Sequence, residues 1–519
     1  MISLGSRRWW ALGALALALL AVGLDLTVLN LALPTLATDL HASNAQLQWF
    51  IDAYTLVLAA MLLPAGLLGD RYGRKKLLVG ALALFGVASL GCAYATSAGG
   101  LIAARAVLGL GGAFLIPLSM AVLPVLFTAE ERPKAIAVWV AANAVSWPIG
   151  PILGGWLLDN YWWGSVFLIN VPVTVVGLIA VAVLLPESRS IHRPRLDITG
   201  VLISSAGLVG LTYGAIEAGQ HGWGSPAAAA SLIAGVLLLV VFILVQRRIS
   251  QRPEGQPLID LSLFRSASFT WGTTLATLVS FALFGVLFAV PQYFQAVGGT
   301  TAMGAGLRLL PIIGGLLVGS QVAERLARRT GAKVTVATGF VLLAAGLATG
   351  AASGVHSGYG FAATWVSIVG IGMGFTLPTS MDAALSALSP ERSGTGSGVI
   401  QALRQVGGTI GVAVLGTVLS SAYHARLDLT GLPTQAASAV RDSVSAGVAV
   451  AHQLGSTPLL DSVRAAFAHG MDVMLLACGG IALLGIVLTL AFLPRRALVP
   501  AADAAATTSQ SEPESEIVV

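Results

Sequence analysis

Long apolar runs alternate with short polar segments along almost the whole chain. An α-helix needs about 20 predominantly apolar residues to cross a bilayer. The chain is therefore predicted to be an all-α polytopic membrane protein with about fourteen spans. The predicted spans are residues 10–33, 47–68, 77–97, 100–125, 135–158, 165–185, 198–218, 227–246, 269–294, 303–323, 334–354, 360–381, 397–420 and 471–494.

The composition agrees with a membrane protein and argues against several classes of function. Of the 519 residues, 56% are hydrophobic and only 10% are charged, which is more apolar surface than a soluble core buries. The two cysteines, Cys92 and Cys478, both lie in apolar runs, so neither a disulfide nor a metal site is predicted. No nucleotide-binding GxxxxGK[ST] pattern or catalytic constellation is found. We therefore expect no enzyme, no cofactor and no ATP-driven pump.

Positive residues fall in alternate loops between the predicted spans. The short intervening loops carry none, which is the pattern of cytoplasmic loops in membrane proteins. This pattern predicts a multi-pass protein of the cell membrane with both termini in the cytoplasm. It also accounts for the basic charge without a nucleic-acid partner. The loop cations include Arg71, Arg74, Lys75, Lys76, Arg132, Lys134, Arg247, Arg248, Arg325, Arg328 and Arg329.

Two segments depart from the pattern of spans and short loops. Residues 421–470 form a long outer segment whose sequence predicts a short helical hairpin. The C-terminal residues 497–519 are acidic and rich in Ser and Thr, which is typical of a disordered cytoplasmic tail.

An internal repeat divides the chain. LGDRYGRK, residues 68–75, aligns without gaps on LARRTGAK, residues 326–333. The repeat predicts two homologous halves of six spans each, with the pair of spans at 198–246 inserted between them. The predicted units are an N-terminal bundle at 1–190, the inserted helices at 191–262 and a C-terminal bundle at 263–496.

Four motifs occur in a fixed order: LDLTVLNLALP at 24–34, GLLGDRYGRKK at 66–76, LIAARAVLGLGGA at 101–113 and WPIGPILGG at 147–155. Together they resemble the fourteen-span drug/proton antiporters of the major facilitator superfamily. The resemblance implies the major facilitator fold, with two six-helix bundles plus two inserted transmembrane helices.

The resemblance also implies a function and its partners. A chain of this family is expected to be a proton-coupled efflux transporter that exports hydrophobic, cationic drugs or antibiotics by alternating access. The alternative is a dedicated exporter of a metabolite or self-produced antibiotic with the same mechanism. The expected partners are small-molecule substrates, protons and the lipid bilayer, and the chain is expected to act as a monomer.

The loop after the second span gathers Asp70, Arg71, Gly73 and Arg74 where two helices meet the cytosol. An acidic group there can pair with Arg74 or cap a helix N-terminus, and release as the halves move. We interpret the loop as a gate latch. The alternative is that its charges only set the orientation of the chain.

The antiporter motif of the fifth span contains Gly150, Pro151, Gly154 and Gly155. Small residues at a spacing of four let another helix backbone approach closely, and proline bends the span. We interpret the motif as a pivot. The alternative is ordinary small-residue packing.

Three charges, Asp25, Asp52 and Arg105, are predicted at similar depth in the membrane. Ionisable groups in hydrocarbon are costly and face a partner or a wet cavity. No histidine lies within a span, so proton coupling is assigned to these carboxylates with Arg105. The alternative is a fixed ion pair that only orders the bundle.

The substrate cavity is assigned to Asn143, Trp147, Phe284 and Tyr293, since aromatic faces bind flat cations. Aromatic packing between helices is the alternative. The tenth span reads LLPIIGGLLVGS at 309–320 and has no acid. Some exporters of divalent organic cations in the family that the chain resembles carry an acidic residue in this span, so the resemblance implies monovalent cations or neutral compounds rather than dications. Arg308 and Arg404 are predicted near span ends, where long side chains reach the interface.

Overall fold

The computed structural model describes residues 4–128, 131–188, 197–252, 255–388 and 390–494. The first part of the chain forms α1 (Leu4–Asp39), α2 (Asn44–Tyr72), α3 (Arg74–Ala93), α4 (Ala98–Leu126), α5 (Arg132–Asn160), α6 (Ser165–Leu168) and α7 (Asn170–Leu184). Two helices follow, α8 (Ile198–His221) and α9 (Pro226–Ser250). The last part forms α10 (Ala267–Gln292), α11 (Ala302–Thr330), α12 (Ala332–Gly350), α13 (Tyr359–Leu385), α14 (Pro390–Arg426), α15 (Thr434–Asp442), α16 (Val444–Gln453) and α17 (Thr457–Phe492).

Every predicted span lies on one of these helices, with α6 and α7 together forming the sixth. Thirteen stretches of the described chain are helical, long and apolar enough to cross a membrane. A further helix of 29 residues, α5, occupies the predicted fifth span, although its side chains are described only in part. The predicted all-helical membrane fold is therefore confirmed.

The two copies of the repeat have the same backbone geometry. Gly73 lies between α2 and α3 with φ +114°, and its N–H donates to the Gly69 carbonyl oxygen. Gly331 lies between α11 and α12 with φ +87°, and its N–H donates to the Ala327 carbonyl oxygen. Glycine adopts a positive φ without the strain that a Cβ causes, so it ends one helix and turns the chain into the next.

The buried apolar side chains form two main clusters, one for each half. The N-terminal cluster includes Phe50, Phe85 and Phe167 and is built mostly from α1 to α7. The C-terminal cluster includes Trp365 and Phe467 and is built mostly from α10 to α17. The boundaries at 190 and 263 stay predictions, since the clusters do not fix the ends of the two units.

The inserted helices α8 and α9 pack on each other, and α8 also contacts α2 and α14. Thr417 of α14 donates to the Ala215 carbonyl oxygen of α8 at 2.7 Å. A Cβ on Gly219 would lie 2.8 Å from the Thr417 hydroxyl oxygen, so the two helices meet closely. α8 therefore lies against one helix of each half.

The segment 421–470 contains α15 and α16, which pack against each other as the sequence predicts. The Tyr423 hydroxyl donates to the Val440 carbonyl oxygen at 2.8 Å and holds α15 against the end of α14. The last helix begins at Thr457, ahead of the predicted span at 471. The predicted tail at 497–519 lies outside the described residues.

The bundle has two ends that differ in charge. The Arg-rich end carries the loops at 70–76 and 324–333, and the Arg-poor end carries the turns at 39–44, 160–165 and 298–302. These two names are used below in this sense.

Replacing Gly331 with Ala should lower the stability of the purified protein by about 1 to 3 kcal/mol, because its φ of +87° and ψ of 164° strain any residue with a Cβ. The matched control is Gly314→Ala within α11, where no atom lies within 4 Å of the added Cβ. Thermal unfolding in detergent measures both. Equal melting temperatures for the two variants would show that the α11–α12 corner does not depend on glycine.

Candidate functional site

A buried ion pair joins α1 and α4. Arg105 Nη1 donates to Asp25 Oδ2, and each side chain is only 1% exposed. Arg105 Nε also donates to the Phe50 carbonyl oxygen of α2 at 2.8 Å. The guanidinium carbon lies 4.4 Å from the centroid of the Tyr54 ring, a cation–π contact. Because the guanidinium contacts α1 and α2 from α4, one charged group ties three helices together.

Sequence analysis missed a third polar group at this pair. Asn170 begins α7, and its Nδ2 lies 3.5 Å from Asp25 Oδ1 and 3.4 Å from Ser89 Oγ. The available signal is an amide inside the otherwise apolar stretch VFLINVPV at 166–173. A buried amide needs hydrogen-bond partners, so its position in a span indicates a polar neighbour.

The structure separates Asp52 from this pair, although the three charges were assigned to one group. Phe50 and Tyr54 face Arg105, and a residue midway between them on a helix points to nearly the opposite side. Asp52 is 0% exposed, and neither of its carboxyl oxygens has a hydrogen-bond partner among the described residues. It is a buried carboxyl group, and none of the ion pairs in the described part of the chain includes it.

Asp52 lies on the face of α2 that packs against α14. One helical turn along α2, Thr55 Oγ1 accepts a hydrogen bond from Thr409 Oγ1 of α14 at 2.8 Å. Gln48 Oε1 and Gln405 Nε2 on the same faces lack partners in the described chain. We call this group of polar residues between the two halves the α2–α14 seam; its members are Gln48, Asp52, Thr55, Gln405 and Thr409.

In the predicted gate loop, Arg74 pairs with Asp70. The Nε and Nη2 atoms of Arg74 donate to Asp70 Oδ1 at 3.0 and 2.7 Å. The guanidinium of Arg71 lies 5.5 Å from the centroid of the Tyr72 ring. All these contacts stay within the N-terminal half, so in this conformation the loop makes no described bond to the other half.

Another carboxylate caps the helix that follows the gate loop. Glu187, just after α7, accepts hydrogen bonds at 3.2 Å from the backbone N–H groups of Lys75 and Lys76. An acid at a helix N-terminus satisfies free N–H groups and the helix dipole. A Cβ on Gly73 would lie 2.7 Å from Glu187 Oε1, so the close approach requires glycine. Sequence analysis gave the possible capping role to Asp70 and missed Glu187.

The antiporter motif packs α5 against α1 by two glycines. A Cβ on Gly150 would collide with the Thr27 side chain, and a Cβ on Gly154 would lie 2.6 Å from Val28 Cγ1. Both neighbours belong to α1 in the same half. The spacing of four residues places these glycines on one face of α5, as small-residue contacts between membrane helices require.

Another face of α5 contacts α11 of the C-terminal half. A Cβ on Gly155 would lie 2.5 Å from Met303 Cα of α11, and a Cβ on Gly306 would collide with the Pro151 carbonyl oxygen. The motif therefore lies between a helix of its own half and a helix of the other half.

An acidic residue that sequence analysis did not single out joins the same two helices. Asp159 lies in the last turn of α5 and accepts hydrogen bonds from the backbone N–H groups of Ala302 and Met303, at 3.1 and 3.2 Å. These groups belong to the first turn of α11. A carboxylate of one half thus caps a helix of the other half at the Arg-poor end.

The structure describes two of the four predicted cavity residues, Phe284 and Tyr293. The side chains of Asn143 and Trp147 lie outside the described residues. Phe284 packs against the apolar clusters of both halves. Tyr293 is buried in the C-terminal cluster, where its hydroxyl donates to the Gly354 carbonyl oxygen at 2.8 Å. The structure therefore keeps Phe284 at the boundary between the halves and places Tyr293 inside one half.

Arg404 lies on α14, and its Nε donates to Ser280 Oγ of α10 at 3.2 Å. Its Nη1 lies 3.1 Å from Gln401 Oε1 and 3.5 Å from Met381 Sδ of α13. These contacts hold the side chain within the C-terminal half.

A cavity on the described surface lies between α5 and α11. It has a volume of about 290 Å³ and an apolar lining of Ile149, Ile152, Leu153, Trp156 and Met303. None of the charged residues described above lines it. Trp156 is 45% exposed, so this cavity opens on the outside of the bundle.

Comparison with known proteins agrees with this geometry. Residues 15–412 match the Major Facilitator Superfamily. The chain is 32% identical over 494 residues to the tetracenomycin C resistance and export protein of Streptomyces glaucescens, covering 92% of this chain and 90% of that protein. It is 33% identical over 471 residues to the multidrug efflux pump LfrA of Mycolicibacterium smegmatis, covering 90% and 92%. The methyl viologen resistance protein SmvA of Salmonella typhimurium is 32% identical over 494 residues, covering 92% and 97%.

Solved structures share the fold at low sequence identity. A bacterial homologue of the human lysosomal transporter Spinster, in an inward-facing and unoccupied conformation, superposes with a TM-score of 0.67 at 16% identity, covering 94% of this chain and 98% of that one. The D-xylose–proton symporter gives a TM-score of 0.61 at 15% identity, covering 94% and 98%. The helical architecture, the ordered motifs and these matches show that the chain belongs to the major facilitator superfamily of transporters.

Proposed function

We propose that the chain exports hydrophobic small molecules in exchange for protons, by alternating access. The observation that carries the proposal is a pair of carboxyl groups, Asp25 and Asp52, fully enclosed within membrane-spanning helices. Charged groups at this depth are costly and mark ion or proton pathways. The export and efflux activities in the names of the relatives supply the direction of transport.

The two carboxyls have different environments and therefore different parts in coupling. Asp25 faces Arg105 and is stable as a carboxylate. Asp52 has no partner among the described residues, and an unpaired carboxylate in hydrocarbon is much less stable than the neutral acid. Asp52 therefore holds a proton in this conformation. Separation of the halves would admit water to the α2–α14 seam, and the proton could then leave.

The contacts between the halves support alternating access. At the Arg-poor end, Asp159 caps α11, and Gln295 Nε2 donates to the Leu31 carbonyl oxygen at 3.0 Å. At the Arg-rich end, Asp70 bonds only within its own loop. The conformation is therefore closed at the Arg-poor end, and the latch of the gate loop is not engaged with the other half.

The charge pattern supports an orientation with the Arg-rich end in the cytoplasm. Both termini then lie in the cytoplasm, and the closed Arg-poor end faces outward in the cell membrane. We propose that a monomer is sufficient, because the polar seam and the α5–α11 contact both form within one chain.

The proposed substrates are hydrophobic, cationic drugs or antibiotics. The segment 309–320 of α11 contains no acid, which favours monovalent cations and neutral compounds over dications. A dedicated exporter of one self-produced antibiotic is the second candidate, and the tetracenomycin C relative favours it. A substrate panel in liposomes under an imposed pH gradient distinguishes a broad specificity from a single substrate.

Asp52→Asn should abolish proton release on substrate binding and export driven by a pH gradient, because the amide cannot titrate. In the wild type, the affinity for a cationic substrate should rise with pH, since proton and cation compete for the same carboxyl group. Protons released per substrate bound are measured in weakly buffered detergent solution. Asp39→Asn, at the exposed end of α1, is the control and should behave as the wild type.

Asp25→Asn completes the series and separates the alternatives. If Asp25→Asn releases protons normally and Asp52→Asn releases none, the result supports Asp52 as the group that carries the proton. The reverse result assigns the proton to Asp25 and Arg105. Normal release in both variants would show that neither carboxyl couples transport to protons.

Asp159→Ala should weaken closure of the Arg-poor end, because it removes both bonds to the first turn of α11. A lost helix cap of about 1 kcal/mol corresponds to about a fivefold shift in the population of open protein. The readout is the rate at which an impermeant maleimide labels a cysteine at Leu31, which is 0% exposed, in a background without Cys92 and Cys478. Asp461→Ala, an exposed acid at the same end, is the control. Equal labelling rates in the two variants would reject the latch.

Gly150→Leu should reduce export more than tenfold while the protein still inserts, because the new side chain cannot fit against Thr27 at the α1–α5 contact. Gly480→Leu, on an exposed face of α17 with no atom within 4 Å of the added Cβ, is the control. The measurements are export, substrate binding and melting temperature. A lower melting temperature with undiminished export per folded molecule would favour ordinary packing over a pivot.

A further inference from the structure

Among the described residues, Arg105 and Arg404 lie inside the bundle, and the two differ in their partners. Arg105 pairs with Asp25. None of the ion pairs among the described residues includes Arg404. Its described partners, Ser280, Gln401 and Met381, are all neutral. A cation inside a membrane bundle without an acid is costly, so its position calls for a functional explanation.

Arg404 lies within the C-terminal half, close to its boundary with the other half. Gly408 lies one helical turn further along α14, and a Cβ there would lie 3.0 Å from the Phe284 ring. Phe284 packs against the apolar clusters of both halves. Ser280, which accepts the bond from Arg404, lies one turn before Phe284 on α10. A charged group and an aromatic face are thus adjacent at the boundary between the halves.

The guanidinium also keeps unused donors. The described bonds use Nε and Nη1, whereas Nη2 donates to none of the described residues. The Nη2 atom is not among the buried atoms that lack a hydrogen-bond partner, and the side chain is partly exposed. Arginine presents a planar fork of donors that matches the two oxygens of a carboxylate. The free edge is therefore suited to an anionic oxygen group.

We propose that Arg404 binds an anionic oxygen group, a carboxylate or phenolate, of a hydrophobic aromatic substrate whose ring contacts Phe284. The proposal rests on the export function proposed above and extends its substrate class from cations to molecules with an acidic end. The low polarity of the site strengthens the pairing, because a charge–charge contact there is not screened by water.

The test compares three probes with the same naphthalene ring: 2-naphthoate, its methyl ester and 2-naphthyl-trimethylammonium. Their affinities for the purified full chain are measured by isothermal titration calorimetry in detergent. The wild type should bind the carboxylate about tenfold tighter than the ester. In Arg404→Gln the affinity for the carboxylate should fall about tenfold relative to the affinity for the ester. The trimethylammonium probe should bind this variant tighter relative to the ester, because the repulsive positive charge of Arg404 is gone.

Two further variants guard against a general loss of structure. Arg404→Lys retains the charge and should keep most of the preference for the carboxylate. Arg308→Gln is the matched control, since its guanidinium lies near the other end of the C-terminal half, 5.2 Å from the centroid of the Tyr359 ring. The ratio of carboxylate to ester affinity should be that of the wild type in this control.

Several results would overturn the inference. Equal loss of all three probes in Arg404→Gln would assign Arg404 to holding α10, α13 and α14 together. Competition of 100 mM chloride with 2-naphthoate would assign the site to an inorganic anion. If the wild type exports the trimethylammonium probe but binds the carboxylate and the ester with equal affinity, the inference about Arg404 is wrong and the proposed export function still stands. A wild type that moves no probe under a pH gradient contradicts the proposed function instead.

Discussion

The pairing of Asp25 with Arg105 shows the constraint on which this bundle depends: hydrocarbon does not solvate a charge. The guanidinium contacts the carboxylate of α1, the backbone of α2 and the ring of Tyr54, so a charge on α4 is satisfied only when three helices are correctly placed. The same constraint makes the two exceptions informative. Asp52 has no described partner at the seam between the halves, and Arg404 has only neutral ones. Asp52 lies at the seam itself, and Arg404 donates to Ser280, one turn before the Phe284 side chain that packs against the clusters of both halves.

Close helix contact provides the mechanical counterpart of these charges. Lipid tails are as apolar as leucine side chains, so helices in a membrane associate by close packing rather than by the hydrophobic effect. The glycines of α5 allow that packing on two sides, against Thr27 in one half and Met303 in the other. Asp159 adds a charged cap at the same contact. The α5 helix therefore contacts both α1, which carries Asp25, and α11 of the other half.

The inserted helices have a defined place in this arrangement. α8 lies across the α2–α14 seam and receives a hydrogen bond from Thr417. A small apolar cluster of Ala45, Ala215, Ile216 and Ala413 joins the three helices there. Without this cover, the unpartnered polar atoms of Gln48 and Asp52 would be nearer to lipid, where exposed polar groups are destabilising. α8 thus covers one side of the polar interface between the two halves.

The sequence alone was sufficient to predict the spans, the repeat and the family. Each of these depends on one-dimensional information: the bilayer fixes the length of an apolar run, and the glycines of the two corners recur at Gly73 and Gly331. It also located Asp25, Arg105 and Gly150, because polar or small residues in apolar spans stand out. Proton coupling by Asp25 and Asp52, and the roles given to Asp70 and Gly150, stay predictions.

Only the tertiary structure decided which side chains meet. Depth along a helix is readable from the sequence, whereas the rotation of the helix and the identity of its neighbours are not. Asp52 is at the depth expected, yet it faces α14 because it lies on the opposite side of α2 from Phe50. Glu187 caps α3, and Asp159 caps α11, across 112 and 143 residues of chain. Such pairs form when packing brings distant helices together, and no local pattern in the sequence predicts which helices will meet.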